Sequence, residues 1–209
     1  MNIFYNILFL FLSYIIGSIP VSLIFGKVFK KIDLREHGSG NLGTTNAIRV
    51  LGFKLGAIVF LFDVLKAIIV LLLLKYNVIT IINVNFIHPI FFGLAGIIGH
   101  CYSPFVKFKG GKAVACCLGV VLILTPIPAV ACVLAFALIV KKTGYVSLGS
   151  MLGGVTVLLT TIIQSFFLGF DWLIISIYLF LVLLIIFKHK KNIIALMNGT
   201  ERSFKKKTN

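Results

Sequence analysis

Long apolar runs, each separated from the next by a short polar segment, make up most of this chain. A transmembrane helix needs about 20 consecutive apolar residues, and backbone groups inside a bilayer must be hydrogen-bonded within helices or closed barrels. The composition supports a membrane location, because 60% of the 209 residues are hydrophobic, 12% are charged and the mean hydropathy is +1.13. We therefore predict an all-α integral membrane protein with a single transmembrane domain over residues 1–209.

The apolar runs and their helix breakers predict seven transmembrane helices. The spans are residues 3–25, 55–74 and 86–98, two short helices within 113–140, and residues 151–170 and 173–187. The run 113–140 carries no charge, is long for one span and contains Pro126 and Pro128 near its middle. Two helices joined at residues 125–128 keep Lys141 and the C-terminal lysines on one side of the membrane, as the positive-inside rule requires.

Basic residues predict how the spans are oriented. The formal net charge is +15, and the first lysines follow the first span instead of preceding it. This placement argues against a signal peptide and puts the N-terminus outside and the tail, basic from about residue 188, in the cytoplasm. We attribute the net charge to cytoplasmic loops and to contact with anionic membrane lipid, and we expect no nucleic-acid partner.

A glycine-rich stretch, residues 38–49, interrupts the hydrophobic sequence after the first span. Its glycines permit positive φ angles, so several N–H groups can turn toward one ligand. Its Asn, Ser and Thr side chains add short hydrogen-bonding groups, and Arg49 adds a planar guanidinium suited to phosphate or carboxylate. The stretch therefore predicts an oxyanion-binding loop, although the same residue types also form ordinary turns. The P-loop pattern of nucleotide-binding proteins is absent from it.

Three more polar segments are expected on the cytoplasmic face. The lysine loop, residues 107–112, precedes a helix, where N–H groups and the helix dipole favour an anion; its lysines could also simply obey the positive-inside rule. The other two segments are residues 144–150 and 188–192. Carboxylates are nearly absent from these segments, so we expect neither paired-acid catalysis nor a metal site.

Two charged residues, Asp63 and Lys66, lie in the middle of the second predicted span. Their spacing of three residues puts them on one helix face, where they can neutralise each other. We interpret them as an internal salt bridge, with a ligand role as the alternative. His100, at the end of the third span, is interpreted as structural. The cysteines have no disulfide or metal-site spacing and are interpreted as small apolar residues.

Three motifs carry a resemblance to a known family. They are residues 38–49, residues 107–115, and His189 and Asn192 followed by residues 198–201. In this order they resemble the three signatures of the bacterial acyl-phosphate-dependent glycerol-3-phosphate acyltransferases. Two positions depart from the family pattern, with Ala113 where glycine is usual and Cys116 where threonine is frequent.

The resemblance implies a multi-pass enzyme of the bacterial inner membrane, with polar cytoplasmic loops forming the active site. The enzyme would transfer a fatty acyl group from acyl phosphate to the 1-hydroxyl of glycerol 3-phosphate, giving lysophosphatidic acid and phosphate. Acyl phosphate is an activated mixed anhydride, so no cofactor and no metal is expected. The expected partners are the two substrates and membrane lipid, with no obligatory protein partner.

The resemblance also implies roles for individual residues. Catalytic roles are assigned to Ser39, Arg49, His189 and Asn192. Substrate and phosphate binding is assigned to Asn41, Gly43, Thr45, Asn46, Lys109, Gly110, Gly111, Lys112 and Ser147. Among these, the arginine and the two lysines would clamp phosphates. Either His189 or the phosphate of the donor could take the hydroxyl proton, since the lysines around this histidine favour its neutral form.

Two other functional classes fit a basic membrane protein. A transporter of small organic anions would use basic loops and broken helices, but its polar residues would lie near the bilayer midplane. A scaffold that binds anionic lipid would need the lysines but not the Ser, Asn and Gly pattern. Acyl transfer by the purified protein would separate the enzyme from both alternatives.

Overall fold

The computed structural model describes residues 2–76 and 87–204, and all regular secondary structure within these residues is helical. Residues 77–85 of the connection between the second and third predicted spans, and the first residue of the third span, Phe86, lie outside the described residues. The chain divides into two compact units, residues 1–123 and 124–209. The predicted α-helical class is confirmed for the described part of the chain.

The first unit begins with a broken helix, and its described residues form six α-helices, one π-helical turn and one 3-10 turn. They are α1 (Asn2–Ser18), α2 (Val21–Phe25) continued by a π-helical turn (Gly26–Lys30), α3 (Thr44–Leu51), α4 (Phe53–Lys75), α5 (Ile90–Cys101), a 3-10 turn (Pro104–Val106) and α6 (Val114–Leu124). The second unit contains α7 (Pro126–Thr143), α8 (Val146–Leu168), α9 (Trp172–Lys188) and α10 (Lys190–Met197).

The first predicted span is interrupted near its C-terminal end. Helix α1 ends at Ser18, and Pro20 stands immediately before α2. Proline has no N–H group to continue the helical hydrogen bonds, which accounts for the break at this position. The whole segment Ile3–Lys30 is still long and apolar enough to cross a membrane.

Helices α1 and α5 approach closely through small residues. A Cβ atom on Gly17 would collide with the backbone of Gly96, and one on Gly99 would collide with the carbonyl oxygen of Tyr14. The Tyr14 hydroxyl also donates a hydrogen bond of 2.8 Å to the Tyr102 carbonyl. Small residues at helix interfaces permit this contact in membrane proteins. The small residues of α1 and α5 therefore allow the two helices to pack backbone to backbone.

An apolar cluster supports the polar chain between α2 and α4. Its buried members are Val21, Leu23, Leu34, Leu42, Ala47, Leu51, Val59 and Val106. Four of them come from residues 34–51, so the region of the glycine-rich stretch is anchored by its own leucines and alanine. Burying one leucine side chain contributes about 1.5–3 kcal/mol, so the four buried side chains offset part of the entropy that is lost when this region is ordered.

The predicted division of residues 113–140 into two helices is confirmed. Helix α6 ends at Leu124, and α7 begins at Pro126, where the missing proline N–H costs no helical hydrogen bond. Helix α8 begins at Val146, five residues before the predicted start. Gly144, with φ of 80°, ends α7, so the polar residues after it form the first turns of α8.

Four segments are long and apolar enough to span a bilayer within the described residues. They are Ile3–Lys30, Phe53–Lys75, Pro126–Thr143 and Val146–Leu168. Helices α9 and α10 add a fifth if they are taken as one span bent by 58°. Helices α5 and α6 are apolar but have only 12 and 11 residues. The seven-span arrangement therefore stays a prediction.

Candidate active site

One buried side chain fixes the shape of the glycine-rich stretch. The Oδ1 atom of Asn46 accepts a 2.8 Å hydrogen bond from the Ser39 backbone N–H. Its Nδ2 atom donates to the carbonyl oxygens of His37 at 3.1 Å and Leu34 at 3.3 Å. Asn46 is only 1% exposed, and these contacts all go to loop backbone. The structure thus gives Asn46 a shaping role within the stretch.

Two glycines of the stretch need the left-handed backbone region. Gly38 and Gly40 have φ angles of 65° and 69°. A Cβ atom on Gly38 would collide with the Asn46 side chain, and one on Gly40 would lie 2.9 Å from the Arg35 carbonyl oxygen. The predicted use of positive φ is therefore confirmed at two of the three glycines. Gly43 has φ of −120° and stands at the start of α3.

The second half of the stretch is a helix, which the sequence did not predict. Thr45 and Arg49 lie one turn apart on α3 and share a half-buried face. Ala47 and Leu51 point into the apolar cluster on another face. Because Gly43 has no side chain to cap the helix, the first N–H groups of α3 are suited to an anion. Asn41, two residues before Gly43, is half-buried.

The glycine pair of the lysine loop contacts the end of α5. The N–H of Gly111 donates to the His100 carbonyl at 3.1 Å, and the N–H of Gly110 donates to the Cys101 carbonyl at 3.2 Å. A Cβ atom on either glycine would collide with His100. The pair is explained by close packing, and its N–H groups are engaged with carbonyl groups at the end of α5. Lys109, next to the pair, is exposed.

The departure from the family pattern at Ala113 has a structural consequence. Ala113 has a φ angle of 57° and is 1% exposed. Glycine adopts this conformation at no steric cost, whereas an L-residue with a Cβ atom is disfavoured by about 1–2 kcal/mol. This explains why glycine is usual at this position, directly before α6.

Ala113→Gly is expected to change the stability of the protein by no more than about 1 kcal/mol. The relief of the left-handed conformation is offset by the lost buried methyl group and by the flexibility of glycine. Ala113→Val should lower stability by about 2–4 kcal/mol, because a β-branched residue is strained at this φ angle and overfills the site. Thermal unfolding of the two variants in detergent measures the difference, and equal losses would contradict the explanation.

The predicted salt bridge in the second span is confirmed, and it has a third member. Lys66 Nζ lies 2.9 Å from Asp63 Oδ1, and both side chains are buried. His100 Nδ1 lies 3.6 Å from the same oxygen. The thiol of Cys116 donates to the Asp63 backbone carbonyl at 3.1 Å. A threonine hydroxyl could donate the same bond, which accounts for the tolerated exchange at this position.

Near the glycine-rich stretch, Asp33 is neutralised by Arg35. The guanidinium donates to both carboxylate oxygens, with a shortest distance of 2.6 Å. Its hydrogen bonds lower the pKa of Asp33 to about 2. The carboxylate is therefore charged and paired at neutral pH, and repulsion of an anionic ligand by Asp33 is reduced.

In the second unit, Glu201 joins two predicted site residues that lie on different helices. Its Oε1 atom accepts hydrogen bonds from the Ser147 hydroxyl at 2.6 Å and from Asn192 Nδ2 at 2.8 Å. Ser147 is on α8 and Asn192 is on α10. The sequence reasoning missed this role, although Glu201 lies within the third motif.

A helix-ending turn brings Glu201 to this position. Gly199 has φ of 66°, and its N–H donates to the Leu196 carbonyl at 3.2 Å. The Thr200 N–H donates to the Ala195 carbonyl at 2.8 Å, which completes a Schellman motif. Three residues beyond Glu201, the Phe204 N–H donates to the Gly144 carbonyl at 2.9 Å, so the chain returns to the start of α8.

His189 lies at the junction between α9 and α10 and is 2% exposed. Its Nδ1 atom is 2.8 Å from the Ile185 carbonyl oxygen. A carbonyl only accepts hydrogen bonds, so Nδ1 carries a proton, and in a neutral ring Nε2 is the acceptor. The geometry therefore assigns one tautomer to this histidine.

The predicted site residues fall into three local groups. The first is the glycine-rich stretch with Ser39, Asn41, Gly43, Thr45, Asn46 and Arg49, and the second is the lysine loop with Lys109, Gly110, Gly111 and Lys112. Both belong to the first unit. The third group belongs to the second unit, where Ser147, Asn192 and Glu201 meet and His189 lies three residues before Asn192.

Apolar helices and ordered polar loops suited to anions define an α-helical integral membrane protein. The glycerol-3-phosphate acyltransferase family model matches residues 7–199. Glycerol-3-phosphate acyltransferase 2 of Bacillus anthracis is 46% identical over 196 residues, which cover 94% of this chain and 97% of that relative.

Two crystal structures are also similar to the chain. Both are of PlsY (YgiH), an integral membrane glycerol 3-phosphate acyltransferase. The glycerol 3-phosphate form has a TM-score of 0.85 and 34% identity, and the lysophosphatidic acid form has 0.82 and 33%. Each match covers 96% of both chains. The chain belongs to the glycerol-3-phosphate acyltransferase family, which confirms the resemblance carried by the three motifs.

Proposed function

We propose that this protein transfers a fatty acyl group from acyl phosphate to the 1-hydroxyl of glycerol 3-phosphate, producing lysophosphatidic acid and phosphate. Family membership over residues 7–199 supports the reaction class. The observation that carries the proposal is the glycine-rich stretch, which is locked by Asn46 and leads into α3 with Thr45 and Arg49 on one face. Such a preformed site can orient phosphate groups without reorganisation during the reaction.

The first unit supplies the groups that bind phosphate. Arg49 offers two parallel N–H donors, and Lys109 adds a positive charge at an exposed position of the lysine loop. The Ser39 hydroxyl and the uncapped start of α3 donate to phosphate or to the developing oxyanion. Lys112, at the end of the same loop, serves the same purpose.

The second unit supplies groups that orient the acceptor. The Glu201 carboxylate holds the Asn192 amide and the Ser147 hydroxyl in fixed positions. The glycerol hydroxyl oxygen attacks the acyl carbon, and the carbon–oxygen bond to phosphate breaks, with both electrons leaving on phosphate. The hydroxyl proton passes to His189 Nε2 or to the departing phosphate, and a His189→Gln variant with retained turnover would identify phosphate as the acceptor.

The proposal includes seven spans with the N-terminus outside and the C-terminus in the cytoplasm of a bacterial cell. Single cysteines placed at Ser39, at Lys109 and at the exposed Lys190 next to His189 should react with impermeant reagents only from the cytoplasmic side of inner-membrane vesicles. The native cysteines are buried or half-buried, so their background is low. Labelling from outside would contradict this orientation.

Direct transfer without cofactor is tested with purified protein and labelled acyl phosphate. Turnover should persist in EDTA and without coenzyme A or ATP, because the donor is already activated. Incubation with acyl phosphate alone should leave Ser39 unlabelled, since direct attack by the glycerol hydroxyl needs no acyl-enzyme. Stable label on Ser39, or phosphate exchange without glycerol 3-phosphate, would exclude direct transfer. Absence of any acyl transfer would exclude the proposed function.

A further inference from the structure

Three buried polar side chains meet inside the first unit without a role in the proposed reaction. We call Asp63, Lys66 and His100 the buried cluster. The Nζ atom of Lys66 and the Nδ1 atom of His100 lie 2.9 Å and 3.6 Å from the same oxygen, Asp63 Oδ1. The three side chains are between 2% and 7% exposed. Ionisable groups in a membrane-spanning segment are costly, so their presence calls for a reason beyond packing.

The buried cluster is connected to the break between α1 and α2. Lys66 Nζ donates a 2.7 Å hydrogen bond to the Ile19 carbonyl, which lies at the break. Ser103 donates a second bond of 2.6 Å to the Ser18 carbonyl. Carbonyl groups at a helix end lack the N–H partners of a continuous helix, and among the described residues the Ile19 carbonyl accepts a further bond only from the nearby Val21 N–H, at 3.0 Å. Lys66 therefore binds both a carboxylate on its own helix and the interrupted first span.

The buried cluster is also connected to the lysine loop. His100 accepts the Gly111 N–H through its backbone, and its ring occupies the space that a Cβ atom on Gly111 would need. A shift of His100 would therefore move the loop. Lys109 lies two residues before Gly111 in the chain, so the position of this lysine depends on the same contacts.

We propose that the buried cluster positions the lysine loop for phosphate binding, with Asp63 acting as a positioning residue for acyl transfer. An apolar junction would hold α4 against α5 with a smaller desolvation cost. The Asp63 carboxylate instead attracts the Nδ1 atom of His100, which holds the His100 ring in one position and so fixes one arrangement of the lysine loop. This inference rests on the proposed function, because that function makes Lys109 a phosphate ligand.

The test is a double-mutant cycle between Asp63→Asn and Lys109→Ala. Lys109→Ala identifies the substrate whose KM depends on this lysine. For that substrate, Asp63→Asn should raise KM about tenfold and change kcat by less than about twofold. In the Lys109→Ala background the same substitution should raise KM by less than about twofold, because the affected contact is already lost. Additive effects, or equal losses of kcat and kcat/KM with unchanged KM, would overturn the proposal.

Two further comparisons distinguish a loss of positioning from a folding defect. Cys116→Ala removes a contact to the Asp63 backbone but leaves the carboxylate, and its KM should equal that of the wild type. His100→Asn keeps a donor near the Nδ1 position, whereas His100→Leu removes it, so only the leucine variant should show the raised KM. If Asp63→Asn does not fold, the comparison of His100→Asn with His100→Leu tests the proposal, and equal KM values for these two variants would overturn it.

The proposal and the proposed function fail differently. An inactive wild type contradicts acyl transfer itself. An active wild type whose KM is unaffected by Asp63→Asn contradicts only the positioning role.

Discussion

Arg49→Lys is expected to lower kcat/KM by about tenfold to a hundredfold, although lysine keeps the positive charge. Lysine loses the planar fork that grips two phosphate oxygens, and one charge-assisted hydrogen bond is worth about 1.5–3 kcal/mol. Arg49→Ala should cost more, because it also removes the charge. Steady-state kinetics with both substrates measures the effect. A rise in KM with unchanged kcat would indicate lost ground-state binding, whereas equal losses of kcat and kcat/KM would indicate lost transition-state stabilisation.

Arg35→Lys is the matched control for this prediction. Arg35 is also an arginine and lies shortly before the glycine-rich stretch, but it is exposed and pairs with Asp33. Exposed ion pairs contribute about 0–1 kcal/mol, so this variant should show nearly wild-type kinetics. Near-normal kinetics in a folded Arg49→Lys protein would mean that Arg49 serves only as a cytoplasmic charge.

Local sequence signals predicted the main helices well. Helix α4 was expected at residues 55–74 and is observed at Phe53–Lys75, because its apolar run ends at glycine on one side and at lysine on the other. The break at Pro126 follows directly from the chemistry of proline. The pairing of Asp63 with Lys66 follows from their spacing on one helix face.

Features that depend on distant contacts could not be predicted in this way. Helix α3 consists of only eight residues and begins with threonines and an asparagine, which are weak helix formers. It forms because Ala47 and Leu51 are buried in the apolar cluster. The proximity of His100 to Asp63 likewise depends on how α5 packs against α4, which no local pattern encodes.

The predicted phosphate site in the lysine loop shows the limit of motif reasoning. Gly110 and Gly111 suggested free N–H groups, but both groups donate to carbonyls at the end of α5. The sequence identifies the glycines as special positions without distinguishing a ligand from a neighbouring backbone. Only the three-dimensional contacts assign them a packing role and leave the lysines as the cationic groups of the loop.

Glu201→Ala is expected to reduce kcat/KM by about a hundredfold, and Glu201→Gln by about tenfold. The carboxylate accepts two hydrogen bonds, at 2.6 Å from Ser147 and at 2.8 Å from Asn192. Charge-assisted bonds are worth about 1.5–3 kcal/mol and neutral ones about 0.5–1.5 kcal/mol, so glutamine keeps part of the interaction and alanine keeps none. Kinetics and the apparent Tm should be measured together on the purified protein.

The control for Glu201 is Glu36→Ala, which removes a carboxylate from an exposed position in the first unit and should change neither quantity. If Glu201 acts by orienting Asn192, the Asn192→Ala variant should be almost insensitive to a second substitution of Glu201, because the oriented group is already absent. A full additional loss in that double variant, measured at matched Tm, would show that the carboxylate acts independently of Asn192. Non-additivity would show that Glu201 acts by orienting Asn192, despite its position in the tail beyond α10.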